Sequence, residues 1–273
     1  MIRAALAAAA AAFAFAAQAA EPVAFVADLR GSATIEGDGN LGFLAELAAG
    51  TRLLLGTGAS VAVTYAATGA EFTFVGPGEF VVTATEVRAE KGAKPSRRTV
   101  QALPDPSIVG RLANTATASL RMRGLPPPAP APSALEYPVD TRVTTLQPVL
   151  RWKGDPAASG YTVRLVDEAG KEVWKATAKS ANVKAGVKLA PAAAYTWSVA
   201  TAKGRLGEAR FETVSAENVA RAERSRAEAK TFPDRVMHAF LLQDLGAAGE
   251  AREAWAALAR ERPDLAELAV LAR

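Results

Sequence analysis

Between Leu44 and Val82 the chain reads LAELAAGTRLLLGTGASVAVTYAATGAEFTFVGPGEFVV, and this stretch limits the fold more than any other. Val61, Val63 and Tyr65 alternate with Ser60, Ala62 and Thr64; Phe72 and Phe74 alternate with Glu71 and Thr73; Phe80 and Val82 alternate with Glu79 and Val81. Period-two patterning interrupted by Gly69 and by Gly76-Pro77-Gly78 predicts short antiparallel strands with one buried face. Phe72, Phe74 and Phe80 are the expected core anchors, each worth roughly 2–3 kcal/mol on full burial.

The chain has 273 residues, half of them apolar, which is enough for two domains with real cores. It has no cysteine, so disulfides, thiolate zinc sites and a lipid-anchoring cysteine are excluded. Its one histidine, His238, gives little to build a metal site or a catalytic triad from.

Residues 1–19 have the pattern of a cleaved signal peptide. Arg3 supplies a positive start, Ala4 to Ala17 is uncharged, and Ala17-Gln18-Ala19 is an Ala-x-Ala cleavage signal, placing the cut near Ala19/Ala20. The run is shorter than the ~20 residues a bilayer span needs, and no later segment is apolar enough, so the mature chain is expected to be periplasmic without a transmembrane span. Export also removes nucleic acid as the partner for a chain of pI about 9.4. Basic residues gather at Arg88, Lys91, Lys94, Arg97, Arg98, Arg111, Arg121 and Arg123, against Glu86, Glu90 and Asp105. Of these, Arg88, Arg97, Arg98, Arg121 and Arg123 are candidates for binding an anionic envelope glycan or lipopolysaccharide; the alternative is a solvated basic linker.

Residues 20–103 form a first β-domain. Phe25 to Ile35 gives a strand, Gly31 at a bulge or turn, and a second strand; Leu47-x-x-Gly50, Gly56-Thr57-Gly58-Ala59-Ser60-Val61 and Gly69 followed by Phe72-x-Phe74-x-Gly76-Pro77 follow. This arrangement resembles the FecR family. The resemblance implies a β-rich periplasmic domain of roll or sandwich type, used in envelope sensing or scaffolding and not in catalysis.

Residues 104–133 read as a basic, proline-rich linker in which Leu112 to Arg123 suits either an edge strand or a short helix. Pro126 to Pro132 is a stiff polyproline II spacer expected to hold two modules apart. Residues 134–215 then show short alternating segments around Trp152, Tyr161 to Leu165, Trp174, Tyr195 to Val199 and Phe211, at the spacing of a two-sheet sandwich. The early tryptophan, Leu189-x-Pro191 leading to Tyr195, and Trp197-x-Val199 are similar to fibronectin type III domains. That resemblance implies that the Tyr195 hydroxyl bonds backbone upstream, and that the domain binds or spaces.

In the helical tail, residues 216–273, Ser215 can cap a first, thinly apolar helix, and Pro233 suits the start of a second. Ala239, Leu242, Gly246, Ala251, Trp255, Leu258 and Pro263 fall at the spacings of one tetratricopeptide-like hairpin. Asp264 with Glu267 is a candidate capping pair for a last helix. A single hairpin must dock on the sandwich, pair with another chain or meet a partner helix, and Phe240, Trp255 and Leu258 are the candidate partner-docking residues.

The reactive patterns are weak. Gly56-x-Gly58 is followed by strand residues and not by a helix N-terminus, so it reads as a turn rather than a phosphate loop. Ser60 lacks the glycine of a nucleophile elbow. Glu36, Asp38 and Asn40 offer calcium-like spacing without the distal carboxylate. Trp152 and Trp197 suit core positions, while Trp174, after a hairpin turn, is the one that could reach a sugar. The expectation is a mainly β protein of two β-domains and an α-helical tail: a non-enzymatic envelope scaffold or sensor partnered by other envelope proteins, with no catalytic residues, cofactor or metal. The alternative is a glycan-, lipopolysaccharide- or peptidoglycan-binding envelope protein.

Overall fold

The computed structural model describes residues 21–121 and 134–273; the expected signal peptide, the polyproline spacer and Arg123 lie outside them. The chain is mainly β, with helices gathered chiefly at its C-terminal end.

Ten strands make the first unit: β1 (Pro22–Arg30), β2 (Ala33–Ile35), β3 (Gly39–Asn40), β4 (Glu46–Ala48), β5 (Arg52–Leu55), β6 (Ser60–Tyr65), β7 (Ala70–Val75), β8 (Gly78–Val82), β9 (Val87–Lys91) and β10 (Ser96–Thr99). They form two five-stranded sheets, ordered β10-β7-β6-β1-β4 and β3-β2-β5-β8-β9. The apolar rows enclose the core: Val61, Val63, Phe72, Phe74, Phe80 and Val82 are buried together, with the Phe74 and Phe80 rings 4.4 Å apart. Gly31 has φ +74°, and a Cβ there would come within 3.0 Å of the Ala59 backbone, so the crossing between sheets requires glycine.

The segment that suited either a strand or a helix is helical: α1 (Ile108–Arg121). The second unit follows as β11 (Leu135–Tyr137), β12 (Thr141–Val143), β13 (Val149–Trp152), β14 (Tyr161–Asp167), β15 (Glu172–Ala178), β16 (Asn182–Lys184), β17 (Ala194–Thr201) and β18 (Gly204–Thr213). Its sheets are ordered β11-β13-β16 and β12-β18-β17-β14-β15, and β12 runs parallel to β18. Trp152 and Trp197 are buried between them. The Tyr195 hydroxyl accepts the Ala190 N–H at 2.9 Å, the upstream backbone bond expected of that tyrosine.

Four more helices close the chain: α2 (Ala216–Glu228), α3 (Phe232–Asp244), α4 (Ala248–Glu261) and α5 (Ala266–Leu271). Ser215 caps α2, and Thr231 and Asp234 form a capping box on α3, with Pro233 in its first turn. Gly246, at φ +74°, ends the α3 segment. The expected Asp264–Glu267 cap does not form, because Arg262 takes the Asp264 carboxylate.

These helices, with α1, form a layer that shares one continuous core with the first unit. Phe25 and Ala27 of β1 point into it, while their neighbours Ala24 and Val26 point into the β-core. The sheet carrying β1 and β6 is therefore buried on both faces, and Thr64 and Glu71, expected on a solvated face, are 0% and 1% exposed.

Candidate functional site

Four polar clusters hold the helical layer in place. At the first, Arg98 on β10 donates to both carboxylate oxygens of Glu71 on β7, at 2.6 and 2.9 Å. The same guanidinium pairs with Asp234 of α3 at 2.8 Å and donates to the Thr231 hydroxyl. Register places Arg98 directly opposite Glu71, so two neighbouring strands supply the pair and the α3 cap closes over it. Burial pushes the Glu71 carboxyl above its ordinary range despite Arg98.

At the second cluster Arg262, just past α4, reaches back to β1. It donates to Asp28, to the Leu29 carbonyl at 2.7 Å and to Asp264, and its guanidinium lies 5.3 Å from the Phe232 ring centre. At the third, Glu250 in the first turn of α4 accepts from the Thr144 N–H at 2.8 Å, the Thr144 hydroxyl and the Tyr137 hydroxyl. Gly249 lies so close to the Tyr137 ring that a Cβ would meet it at 2.6 Å. Glu253 pairs with Arg151, and the Gly246 carbonyl accepts the Arg142 N–H at 3.2 Å. The fourth lies inside the layer: His238 Nδ1 is 3.0 Å from the Ser225 hydroxyl, and burial, with Arg226 nearby, lowers its pKa to about 4.

Both β-units are thus fastened to one helical frame. The expectation of two modules held apart by the proline spacer gives way here, because it considered the linker without the tail. Phe240, Trp255 and Leu258 are likewise corrected as docking residues for a partner: all three are buried, with Phe240 against Phe25 at 5.6 Å and against Trp255 at 5.1 Å. The hairpin docks on its own chain.

Half of the basic patch is paired within the chain. Arg88 pairs with Glu86, Lys91 with Glu79 and Arg111 with Asp105. Arg98 is corrected as an anion-binding candidate, since Glu71 and Asp234 occupy its guanidinium. Arg121 ends α1, and Arg123 falls outside the described residues. Lys94 and Arg97 have no ion pair among the described residues. With Arg88 they rim a groove of about 700 Å³ between β9 and β10, over Phe72, Val87 and Ala89.

No group of three or more His, Cys, Asp or Glu side chains among the described residues could hold a metal ion. Trp152 and Trp197 lie in the core, so only Trp174, half-buried, reaches solvent within the second unit. No helix among the described residues is long and apolar enough to cross a membrane. Comparison with family models and with curated proteins finds no match.

Sequence reasoning missed Glu71, Asp28, Arg262 and Glu250. One signal was present: Ala24-Phe25-Val26-Ala27 is an unbroken apolar run, the pattern of a strand buried on both faces.

Proposed function

We propose that the chain is a non-catalytic scaffold of the bacterial envelope, exported to the periplasm, which presents two β-units on one helical frame to other envelope proteins. The observation that supports this most is how the charged side chains are used. Glu71, Arg98, Asp234, Arg262, Asp28 and Glu250 fasten secondary-structure elements to one another, as expected where rigidity is the product. The FecR-like and fibronectin type III-like sequence patterns point to the same class of role. So does the Tyr195 corner bond.

The test is cross-linking of a tagged chain in intact cells, followed by identification of what is captured. A short, reproducible set of envelope proteins is expected, attached through the β-units. Purified protein that turns over a substrate, and stops when one side chain is removed, would contradict it.

A second reading, attachment to an anionic envelope glycan, is favoured by the β9–β10 groove, whose apolar floor is rimmed by Lys94 and Arg97, unpaired among the described residues, with Arg88 and its partner Glu86 beside them. Replacing Lys94 and Arg97 by glutamine should then abolish salt-sensitive sedimentation with cell-wall fractions. Sedimentation that ignores salt and these changes would remove this reading.

A further inference from the structure

The net charge of +4 is not evenly spread. Residues 21–103 carry seven Lys and Arg against nine Asp and Glu, while residues 134–215 carry twelve against eight. Within the second unit, residues 173–207 include six Lys and Arg and no acid at all. The unit's five arginines, Arg142, Arg151, Arg164, Arg205 and Arg210, all sit in ion pairs. Its lysines do not: among the described residues none of them is in a salt bridge.

Strand order shows where these free charges lie. The helical layer grips the second unit at β11, β12 and β13, through Tyr137, Thr144 and Arg151. β15 and β16 are the opposite edges of the two sheets, on the far side from the edge strands β11 and β12 that the helices grip. On β15, Trp174 and Ala178 pack on the core, which turns Lys175 and Lys179 to the outer face of one sheet. On β16, Val183 packs inward and Lys184 stands on the outer face of the other. Lys171 and Lys188, both exposed, flank the strands. Trp174 occupies the edge between the two rows, with its indole Nε1 over Gly186, where a Cβ would come to 2.9 Å. Lys175 also lies directly opposite Arg164, a like-charge pairing that does nothing for the sheet.

We propose that this edge is a docking surface for a membrane bearing anionic phospholipid headgroups, with lysines straddling the edge and Trp174 at headgroup depth. A flat anionic surface fits better than a single polyanionic chain. The two lysine rows leave opposite faces of a sandwich about 10 Å thick, so one linear chain would follow one row, whereas a plane meets both. Lysine stems reach sideways along such a plane while the ammonium stays hydrated. A lysine also reads charge without demanding the shape match that arginine does. Tryptophan suits the boundary between water and acyl chains. The surface lies on the second unit, apart from the β9–β10 groove, and does not depend on the scaffold reading.

The test uses the full chain and sedimentation with vesicles of phosphatidylcholine, with or without phosphatidylglycerol. Binding is expected only with phosphatidylglycerol and should weaken steeply as salt rises. Each lysine should contribute about fivefold in affinity, so K175Q/K179Q/K184Q/K188Q should lose roughly several-hundredfold with its near-ultraviolet circular dichroism unchanged. Lys94→Gln with Arg97→Gln should leave vesicle binding intact. Because Trp152, Trp197 and Trp255 are buried, a blue shift of tryptophan fluorescence on binding should come from Trp174 and vanish in Trp174→Phe. Three results would each overturn the proposal: no binding to anionic vesicles; binding unchanged in the fourfold variant, which would leave the lysines as guards against edge-to-edge strand pairing; or tight binding of soluble polyphosphate that anionic vesicles fail to displace.

Discussion

The two β-units meet the same helical layer in opposite ways. The first gives up a whole sheet face: Phe25 and Ala27 enter the helical core, and ionic groups as buried as Glu71 are sealed beneath it. The second offers an edge, where Tyr137, Thr144 and Arg151 meet the start of α4 through hydrogen bonds and an exposed ion pair. The first contact is a core extended across a boundary, while the second is chiefly a polar latch, with Val214 and Leu146 its apolar contribution to the helical core. Losing the helices should therefore unfold the first unit and merely release the second.

The largest effect should come from Phe240→Ala, which removes a fully buried ring between Phe25 and Trp255. A loss of about 3–5 kcal/mol is expected, seen in denaturant unfolding as the first unit and the helices melting together. If the first unit kept its own separate transition, the contrast between core and latch would fail.

Next, Arg98→Met should cost about 3 kcal/mol, because it leaves Glu71 buried without a counter-charge beside Asp234. Adding Glu71→Leu should recover most of that loss, since an apolar pair of similar volume is often as stable as a buried ion pair. Thermal unfolding of the single and double variants measures both.

A comparable term appears on acidification. His238 has a pKa of about 4 in the folded chain against an ordinary value of 6.5, so the unfolded chain takes up its proton first as pH falls. The stability it contributes is whole above pH 6.5 and is lost progressively down to about 4, on the order of 3 kcal/mol in total. Glu71 works against this, because its raised pKa favours the fold as pH drops toward it. The difference between wild type and His238→Gln in urea titrations across this range isolates the histidine.

Smaller still, Glu250→Ala should cost about 2 kcal/mol by orphaning the Thr144 N–H and the Tyr137 hydroxyl. Its signature is local: faster amide exchange in β12 and the start of α4, with β1 and β6 unchanged. Exchange rising equally in both units would erase the distinction between them.

Much of this architecture was legible in the residues. Alternation at Val61, Val63 and Tyr65, and at Phe72 and Phe74, located strands and their inward faces, because one rule of pleating governs each strand. Thr64 and Glu71 were misjudged for the same reason: alternation tells the two faces of a strand apart but does not say whether the second face meets water. Phe240, Trp255 and Leu258 were expected to dock a partner and are instead buried within the chain. That outcome depended on Phe25 and Ala27, more than 200 positions away, and no local pattern carries that information. The lysine edge lies between these cases. Its acid-free run can be read directly from the chain, but the pairing of β15 and β16 at the far edges of two sheets is needed to make it a surface.

The helical layer joins the two units independently of the linker. The most direct measurement is to place a protease site between Pro126 and Pro132, cut the folded protein, and run it by size-exclusion chromatography under native conditions. The two fragments should co-elute at the position of the uncut chain, held together by α1 and β1 against α3 and α5. Fragments that separate after the cut would contradict it.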